Sequence, residues 1–386
     1  MPHYVKMGNI PHKRHTQFRK PDGGLYYEQL MGTKGFSGIQ SLIYHINPPT
    51  QVTKATKIKD IRLEFEDKAA LAHRHFRTWN TEPGGDFYEA RKIMLANEDL
   101  SIGVARPNKQ MPYYYRNGEG DEMLYVHEGK GKIESIFGEL SFHSGDYIII
   151  PIGTTYRVVL ETEEARFLVV ESNSAIVPPK RYRNEHGQLL EHSPYCERDF
   201  RTPEKIEAKD EKGEFEVRVR AQGMLTSYLF DFHPLDAVGW DGYLYPYAFS
   251  IHDFEPITGR VHQPPPVHQT FEAWNYVVCS FVPRLYDYHP EAIPAPYVHS
   301  NVESDEVLYY ADGDFMSRRG IEEGSITLHP SGLPHGPHPG KMEESIGKKD
   351  TKELAVMIDT FRPLRVVKQA HDYEDKSYMY SWLPQK

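Results

Sequence analysis

Residues 329–340, with the sequence HPSGLPHGPHPG, place three histidines among four prolines and three glycines. Proline removes a backbone hydrogen-bond donor and restricts the residue before it, so this stretch suits neither a helix nor a central strand. The composition therefore predicts a rigid turn that carries imidazoles. Because imidazole binds metal ions and exchanges protons near neutral pH, the turn is a candidate for either kind of chemistry.

Residues 299–315, HSNVESDEVLYYADGDF, also contain a histidine and several carboxylates, and this stretch has a counterpart earlier in the chain. It aligns without gaps with residues 115–131, YRNGEGDEMLYVHEGKG, and the two share Asn, acidic residues, Leu, Tyr and Gly at matching positions. Downstream, residues 324–335 and 145–156 follow one pattern: Gly, five residues, Pro, one residue, Gly, two residues, then His or Tyr. Two matches in the same order indicate an internal duplication.

Short β-strands are predicted in both copies of the duplicated segment. Apolar residues alternate in short runs that end in Gly or Asp-Gly turns, and residues 146–151, DYIIIP, have the continuous apolar character of a buried strand. Helical periodicity is scarce, and residues 87–100 are the best candidate for a helix. These patterns predict two small antiparallel barrels or sandwiches in one chain.

The composition limits the class of protein. A net charge of −10 disfavours nucleic acid or an anionic membrane as a partner. The two cysteines, Cys196 and Cys279, are too few for a disulfide framework or a cysteine-rich zinc or iron–sulfur site. No apolar stretch has the character of a signal peptide or the length of a membrane span, so we expect a soluble cytoplasmic protein.

The two C-terminal motifs resemble those of the cupin superfamily, whose members are small β-barrels. The first cupin motif is similar to His-x-His, a short spacer, Glu, six residues and Gly, and its positions here are His299, Asn301, Glu306 and Gly313. The second, Gly-x5-Pro-x-Gly-x2-His, ends here at His335. The resemblance implies an all-β bicupin with two antiparallel β-barrel or jelly-roll domains and an N-terminal β-rich extension.

The same resemblance implies a metal site with His299, Glu306 and His335 as ligands. Two imidazoles and one carboxylate on one side of a metal form the facial triad typical of non-haem Fe(II) oxygenases, which leaves open positions for substrate and O2. Asn301 replaces the second histidine of the motif, and this favours a three-ligand site. Asp305 stays an alternative to Glu306, although the motif spacing favours Glu306 and strand alternation points the two acids to opposite faces.

The first copy of the duplicated segment lacks this ligand set. Tyr115 and Tyr156 stand where His299 and His335 stand, and of the three ligand types Glu122 alone remains. We therefore expect a first barrel that binds no metal and has a structural role.

The predicted organisation has four parts. Residues 1–105 form an N-terminal β-rich segment that packs on the barrels, and residues 106–177 form the first, metal-free cupin barrel. Residues 178–215 are polar and rich in proline and are expected to form an ordered connector. Residues 216–386 form the second barrel, with the iron site and a C-terminal segment.

Three stretches resemble the homogentisate 1,2-dioxygenase family in its bacterial form, namely residues 24–50, 299–306 and 328–337. The first is similar to the tyrosine-rich N-terminal strands of the family, and the others are similar to its two iron motifs. The resemblance implies an Fe(II) enzyme of tyrosine and phenylalanine catabolism that opens the ring of homogentisate with O2 to give maleylacetoacetate. It also implies a homo-oligomer, usually a hexamer, that binds a small aromatic acid.

The resemblance assigns further residues by their positions. His329, six residues before the last ligand, is expected to contact the substrate. His262 is expected to act as the acid–base group, with His268 as the alternative and as a further residue at the substrate. Phe315 stands where the animal enzymes carry a tyrosine that contacts substrate, so one hydroxyl group is missing here.

This missing hydroxyl leaves the substrate open. Tyr309, Tyr310, Arg318 or Arg319 could compensate for it. Gentisate or another hydroxylated aromatic acid is an alternative substrate, and a non-catalytic ligand-binding bicupin or a cupin isomerase of sugar phosphates is an alternative function. The retained ligand set weighs against a non-catalytic protein, and Asn301 in the fourth-ligand position weighs against the isomerase.

Overall fold

The fold is all-β. A computed structural model describes residues 2–66, 70–313, 315, 318 and 320–383, and their regular structure consists almost entirely of strands, which confirms the predicted fold class. Arg319 lies outside the described residues. None of the helices in the described part of the chain has the length and apolar character that a membrane span requires.

The strands are numbered in chain order. Those of the first half are β1 Val5–Gly8, β2 Tyr27–Gly32, β3 Gln40–His45, β4 Lys54–Asp60, β5 Arg74–Phe76, β6 Arg91–Ala96, β7 Leu100–Ala105, β8 Tyr114–Asn117, β9 Asp121–Glu128, β10 Gly131–Ser135, β11 Gly138–Phe142, β12 Asp146–Ile150, β13 Thr155–Leu160 and β14 Arg166–Ser172. Those that follow are β15 Phe200–Arg201, β16 Lys212–Ala221, β17 Met224–Phe232, β18 Ala237–Gly242, β19 Tyr247–Ser250, β20 Gln269–Ala273, β21 Tyr276–Phe281, β22 Arg284–Leu285, β23 Asp305–Asp312, β24 Ile326–His329, β25 Asp350–Thr351, β26 Leu354–Thr360 and β27 Arg365–Val366.

Helical segments in the described residues are short. One is an α-helix, α1 Lys341–Ser345. The others are 3-10 turns, at Thr78–Asn80, Lys180–Tyr182, Glu197–Asp199, Ile251–Asp253, Pro265–His268, Lys368–Tyr373 and Tyr378–Tyr380.

One strand order occurs twice, once in each half of the chain. The eight-stranded sheet contains the run β12-β9-β14-β7-β6, and the six-stranded sheet contains the run β24-β23-β26-β21-β20. Neighbours within both runs are antiparallel. Strands β9 and β23 carry the two copies of the acidic motif, so the topology agrees with an internal duplication.

The outer faces of these two sheets are in contact, and this contact orients the second barrel. The Tyr309 hydroxyl lies 2.6 Å from Nδ1 of His127, and its ring lies 6.1 Å from that of Tyr125 in the first half. Because side chains alternate along a strand, Tyr309 in this contact requires that Glu306, Leu308 and Tyr310 point the other way, into their own barrel.

The helix predicted over residues 87–100 is absent, and the prediction was wrong. Residues Arg91–Ala96 form β6, which pairs with β7 on one side and with β27 on the other. Residues 93–96 are buried. Pairing with strands on both sides and burial override the local pattern here.

The division predicted between residues 215 and 216 falls inside β16. This strand pairs in parallel with β8 of the first barrel, and β19 pairs with β12 of the same barrel. We therefore propose a boundary close to residue 251. Edge strands cross between the halves, because β5 extends the second barrel sheet and β27 extends the first.

Candidate metal centre

Glu306 lies on the inner face of the second barrel, near the start of β23. The inner face of this strand continues with Leu308 and Tyr310, and all three line an internal cavity. On the neighbouring strand β26, Asp359 and Met357 lie opposite Glu306 and Leu308 and line the same cavity. The alternation of side chains along β23 turns Tyr309 towards the first barrel and therefore directs the carboxylate of Glu306 into the cavity.

His299 and His335 come from two loops that are joined by a short backbone bridge. Each backbone N–H donates to the carbonyl of the other residue, at 2.8 and 2.9 Å, and the imidazole centroids are 4.3 Å apart. Nε2 of each ring lies 3.5 Å from Oε2 of Glu306. One ligand atom from each of the three residues lies within 4.8 Å of the others, a spacing that can accommodate a metal ion.

Backbone carbonyls orient both imidazoles. Nδ1 of His299 lies 3.3 Å from the carbonyl of Tyr297, and Nδ1 of His335 lies 3.0 Å from the carbonyl of Leu333. We assign the ring proton to Nδ1 in both, which leaves the Nε2 lone pairs directed towards Glu306. Nε2 of His335 is buried and has no hydrogen-bond partner among the described residues, as expected of an atom that can coordinate a metal.

The charges agree with this ligand role. Burial would raise the pKa of Glu306, but the imidazoles of His299, His329 and His335 around its carboxylate hold it well below its usual range. The nearby carboxylate of Glu306 raises the pKa of His299. Glu306 is therefore a carboxylate at neutral pH, the form that coordinates a metal.

His329 lies behind Glu306 and does not line the cavity. Its ring is fully buried, with Nδ1 at 2.8 Å from Oε1 of Glu306 and Nε2 at 2.9 Å from the hydroxyl of Tyr378. Burial lowers the pKa of His329 to about 3, so the ring is neutral. Its Nδ1–H then donates to Glu306, and Tyr378 donates to Nε2. This geometry fits a group that positions Glu306, and the expected contact of His329 with the substrate stays a prediction.

The cavity beside the three candidate ligands has a volume of about 450 Å³, which suits a small ligand. Its lining includes His299 and Glu306 together with His262, His268 and Phe315. The fold thus places His262 and His268, which precede the ligand motifs in the sequence, in the same cavity wall as the candidate ligands. Phe315, which differs from the family pattern, lines this cavity as well.

The two candidate acid–base histidines differ in environment. His262 has a side chain that is 38% exposed, and its Nδ1 lies 3.7 Å from Oδ2 of Asp287. His268 is buried, and burial, together with the charge of Arg284, lowers its pKa to about 3. A neutral ring of such low basicity is a poor proton acceptor, and for this reason we propose His262 for proton transfer.

The residues that could compensate for Phe315 are partly separated by the fold. Tyr309 faces the first barrel, where its hydroxyl meets His127. Tyr310 and Arg318 line the cavity, and the ring of Phe315 packs on Tyr310 with centroids 4.7 Å apart. Tyr310 and Arg318 are therefore the compensating candidates that the described residues place near a substrate.

Asp305, the alternative ligand, is engaged elsewhere. Its Oδ1 accepts from the backbone N–H of Ser331 and its Oδ2 from that of Leu364, both at 2.7 Å. Asp305 therefore anchors two loops on the outer side of the strand, and Glu306 faces the histidines.

Two residues at the site were missed by sequence reasoning. Tyr378 belongs to an aromatic segment near the C-terminus, far from the two ligand motifs in the sequence. Asp359 lies in the apolar run LAVMIDT (354–360), where a single acid was the available signal. Burial raises the pKa of Asp359 to about 7, and the nearby charge of Glu306 adds to this effect.

The first barrel has a different arrangement at the equivalent positions. Tyr115 and Tyr156 pair across β8 and β13, as His299 and His335 pair in the second half. Glu122 accepts hydrogen bonds of 2.6 Å from Arg91 and from the hydroxyl of Tyr156. Within the described residues, the group in the second barrel is the one cluster that could hold a metal.

Comparison with known proteins identifies the family. The family model for the homogentisate 1,2-dioxygenase N-terminal region matches residues 5–251. This chain belongs to the homogentisate 1,2-dioxygenase family. Because the match ends before the three candidate ligands, their convergence in space is an independent observation.

Relatives in this family span nearly the whole chain. A protein of Saccharolobus solfataricus that carries the provisional name of dioxygenase is 41% identical over 382 residues, 98% of each chain. Homogentisate 1,2-dioxygenase of Bradyrhizobium diazoefficiens is 27% identical and covers 90% of this chain and 83% of its own length. Among solved structures, a cupin 2 conserved barrel domain protein from Leptotrichia buccalis is 10% identical, with a TM-score of 0.32, over 79% of this chain and 100% of its own.

Proposed function

We propose that this chain is an Fe(II)-dependent dioxygenase that opens the ring of homogentisate with O2 to give maleylacetoacetate. The observation that supports this proposal most strongly is the convergence of His299, Glu306 and His335 beside a cavity of about 450 Å³. In the proposed reaction both oxygen atoms of O2 enter the product, so no further reductant is needed.

The donor set suits Fe(II). Two imidazoles and one carboxylate on one side leave neighbouring positions open, as in non-haem Fe(II) oxygenases. When bound, the iron supplies the redox chemistry with O2 and polarises the phenolic oxygen of the substrate.

The protein's own residues bind the substrate and move its proton. His262, at the exposed part of the cavity wall, accepts the phenolic proton, and the nearby carboxylate of Asp287 stabilises the imidazolium that results. Tyr310 and Arg318 provide polar contacts in place of the hydroxyl that Phe315 lacks. The apolar side chain of Leu308 helps to exclude water from the cavity.

The proposal is tested by adding homogentisate to the Fe(II)-loaded protein without oxygen and then supplying an oxygen pulse. We expect one O2 consumed for each maleylacetoacetate formed, with one iron bound per chain. His335→Ala should lose both iron and turnover, whereas Tyr156→Phe, at the equivalent position of the first barrel, should keep both. Absence of O2 uptake with homogentisate by the iron-loaded protein would reject the proposal.

Two further expectations are tested by the same preparation. Turnover of gentisate in place of homogentisate would assign the alternative substrate. The homo-oligomer implied by the family, usually a hexamer, stays a prediction, and light scattering of the purified protein measures the mass that decides it.

A further inference from the structure

Glu306 has two cross-strand neighbours in the sheet, and their side chains differ in hydrogen bonding. His329 on β24 lies opposite Glu306 and is hydrogen-bonded to it at 2.8 Å. Asp359 on β26 lies opposite Glu306 on the other side and lines the cavity. Oδ1 of Asp359 is buried and has no hydrogen-bond partner among the described residues.

A carboxyl group in such a position normally has a partner. Burying a polar group without a hydrogen bond is unfavourable, and most buried side-chain oxygens in proteins are paired. The other acids of the cavity wall have partners, because Glu353 is bound to Arg284 at 3.1 Å and Asp287 lies 3.7 Å from His262. Asp359 is therefore the acid of the described wall that remains available to a ligand.

We propose that Asp359 is a specificity-determining residue that accepts a hydrogen bond from a hydroxyl group of the bound aromatic substrate. This inference rests on the proposed function, because it concerns the ligand of the same cavity. A substrate carboxylate next to Asp359 would also lie close to the negative charge of the adjacent Glu306, so the acid group of the substrate points away from this wall. The selected class of substrate is thus an aromatic acid with a hydroxyl group on the side of β26.

The test measures dissociation constants of the Fe(II) protein under anaerobic conditions for three probes. These are homogentisate, 2-hydroxyphenylacetate and 3-hydroxyphenylacetate, and each of the last two lacks one of the hydroxyl groups of homogentisate. Asp359→Leu should weaken the binding of homogentisate by about 10- to 100-fold, as expected for one lost hydrogen bond to an acidic group. The same variant should leave the binding of one monohydroxy probe, the one that lacks the contacted hydroxyl, unchanged.

Controls separate this effect from a general disturbance of the site. Met357→Leu changes a neighbouring cavity residue on the same face of β26 and should affect all three probes equally. Iron content and thermal midpoint of each variant are measured in parallel. If Asp359→Leu does not fold, Asp359→Asn keeps the shape and one acceptor oxygen, and it should show the same selectivity with a smaller loss.

The outcomes distinguish the two proposals. An equal loss for all three probes, or no loss, overturns the role of Asp359 while leaving the function intact. If the wild-type iron protein does not bind homogentisate, the proposed function fails, and the inference fails with it.

Discussion

Arg91 donates a hydrogen bond of 2.6 Å to Glu122, the residue of the first barrel that is equivalent to Glu306. Arg91 also donates at 2.6 Å to the buried Glu171. In the second barrel we propose that a carboxylate and two histidines bind a metal cation, whereas in the first barrel a guanidinium holds the carboxylates. The first barrel thus retains the acidic residue Glu122 and neutralises it with the side chain of Arg91.

Replacement of Arg91 by methionine should strongly destabilise the first barrel. The variant leaves the buried Glu122 without its cation, whereas Glu171 keeps its ion pair with Arg220, and loss of one partner of a buried ion pair costs about 3–5 kcal/mol. Urea unfolding measures the loss, and iron content should stay at one per chain. Arg62→Met is the matched control, since the pair of Arg62 with Asp60 is exposed, and it should unfold close to wild type. A loss of iron from Arg91→Met with unchanged stability would contradict this account.

The duplication is visible in the sequence pattern, and the resemblance to the cupin motifs implied that the ligand residues converge; both agree with local physical constraints. Side chains alternate along a strand, so the position of Glu306 in its motif fixes the face on which it lies. The Pro-Gly turn before His335 restricts the backbone locally. Both constraints act over a few residues and are therefore visible in the sequence.

What could not be predicted depends on contacts between distant segments. The role of His329 is set by Tyr378, 49 residues later in the chain, and that of Asp359 by the register of β26 against β23. The strand at residues 91–96 replaced a predicted helix because β27, from near the C-terminus, completes its pairing. The hydrophobic periodicity of a segment does not show which distant segments it contacts.

His329 should control metal affinity by fixing the carboxylate of Glu306. His329→Leu removes the donor, and we expect a 10- to 100-fold weaker affinity for Fe(II), as for other groups that orient metal ligands. Tyr378→Phe removes the hydroxyl that fixes the ring and should have a smaller effect. Competition with a chelator measures both.

The neighbouring Tyr380, which is 59% exposed, provides the control. Tyr380→Phe should leave iron affinity unchanged. If His329→Leu keeps full iron affinity but raises KM for homogentisate, then His329 contacts the substrate after all, as the family resemblance implies.

We expect Asp305 to have a structural role and Glu306 to act as a metal ligand. Asp305→Asn replaces an acceptor with an amide donor facing a backbone N–H, so stability should fall by about 1–3 kcal/mol with iron retained. Glu306→Gln should abolish iron binding. Asp121→Asn is a matched comparison, because Asp121 accepts from the N–H groups of Ile152 and Ile176 at 2.9 and 3.0 Å in the first barrel. Iron analysis that shows the reverse pattern would make Asp305 the ligand.

His233 should make the folded state sensitive to acid, independently of the metal centre. Its Nδ1 accepts from the backbone N–H of Leu235 and its Nε2 lies 3.0 Å from the hydroxyl of Tyr114, so the ring is neutral when folded. Burial, helped by the positive charges of Lys209 and Arg157, lowers the pKa of His233 from 6.5 to about 4.

The sign of the resulting pH dependence follows from proton binding. Between pH 6.5 and pH 4 the unfolded chain binds the proton of His233 more readily than the folded chain does. The stabilisation is therefore complete above pH 6.5 and is lost as the pH falls to about 4, a loss of about 3 kcal/mol. His233→Asn keeps an acceptor for the backbone N–H and does not titrate. Urea unfolding of the metal-free proteins at pH 7.5 and pH 4.5 should show wild type losing more stability than His233→Asn, while His186→Asn, at an exposed ring, should behave as wild type. An equal loss in wild type and His233→Asn would contradict this account, because it would show that the folded protein protonates His233 as readily as the unfolded chain does.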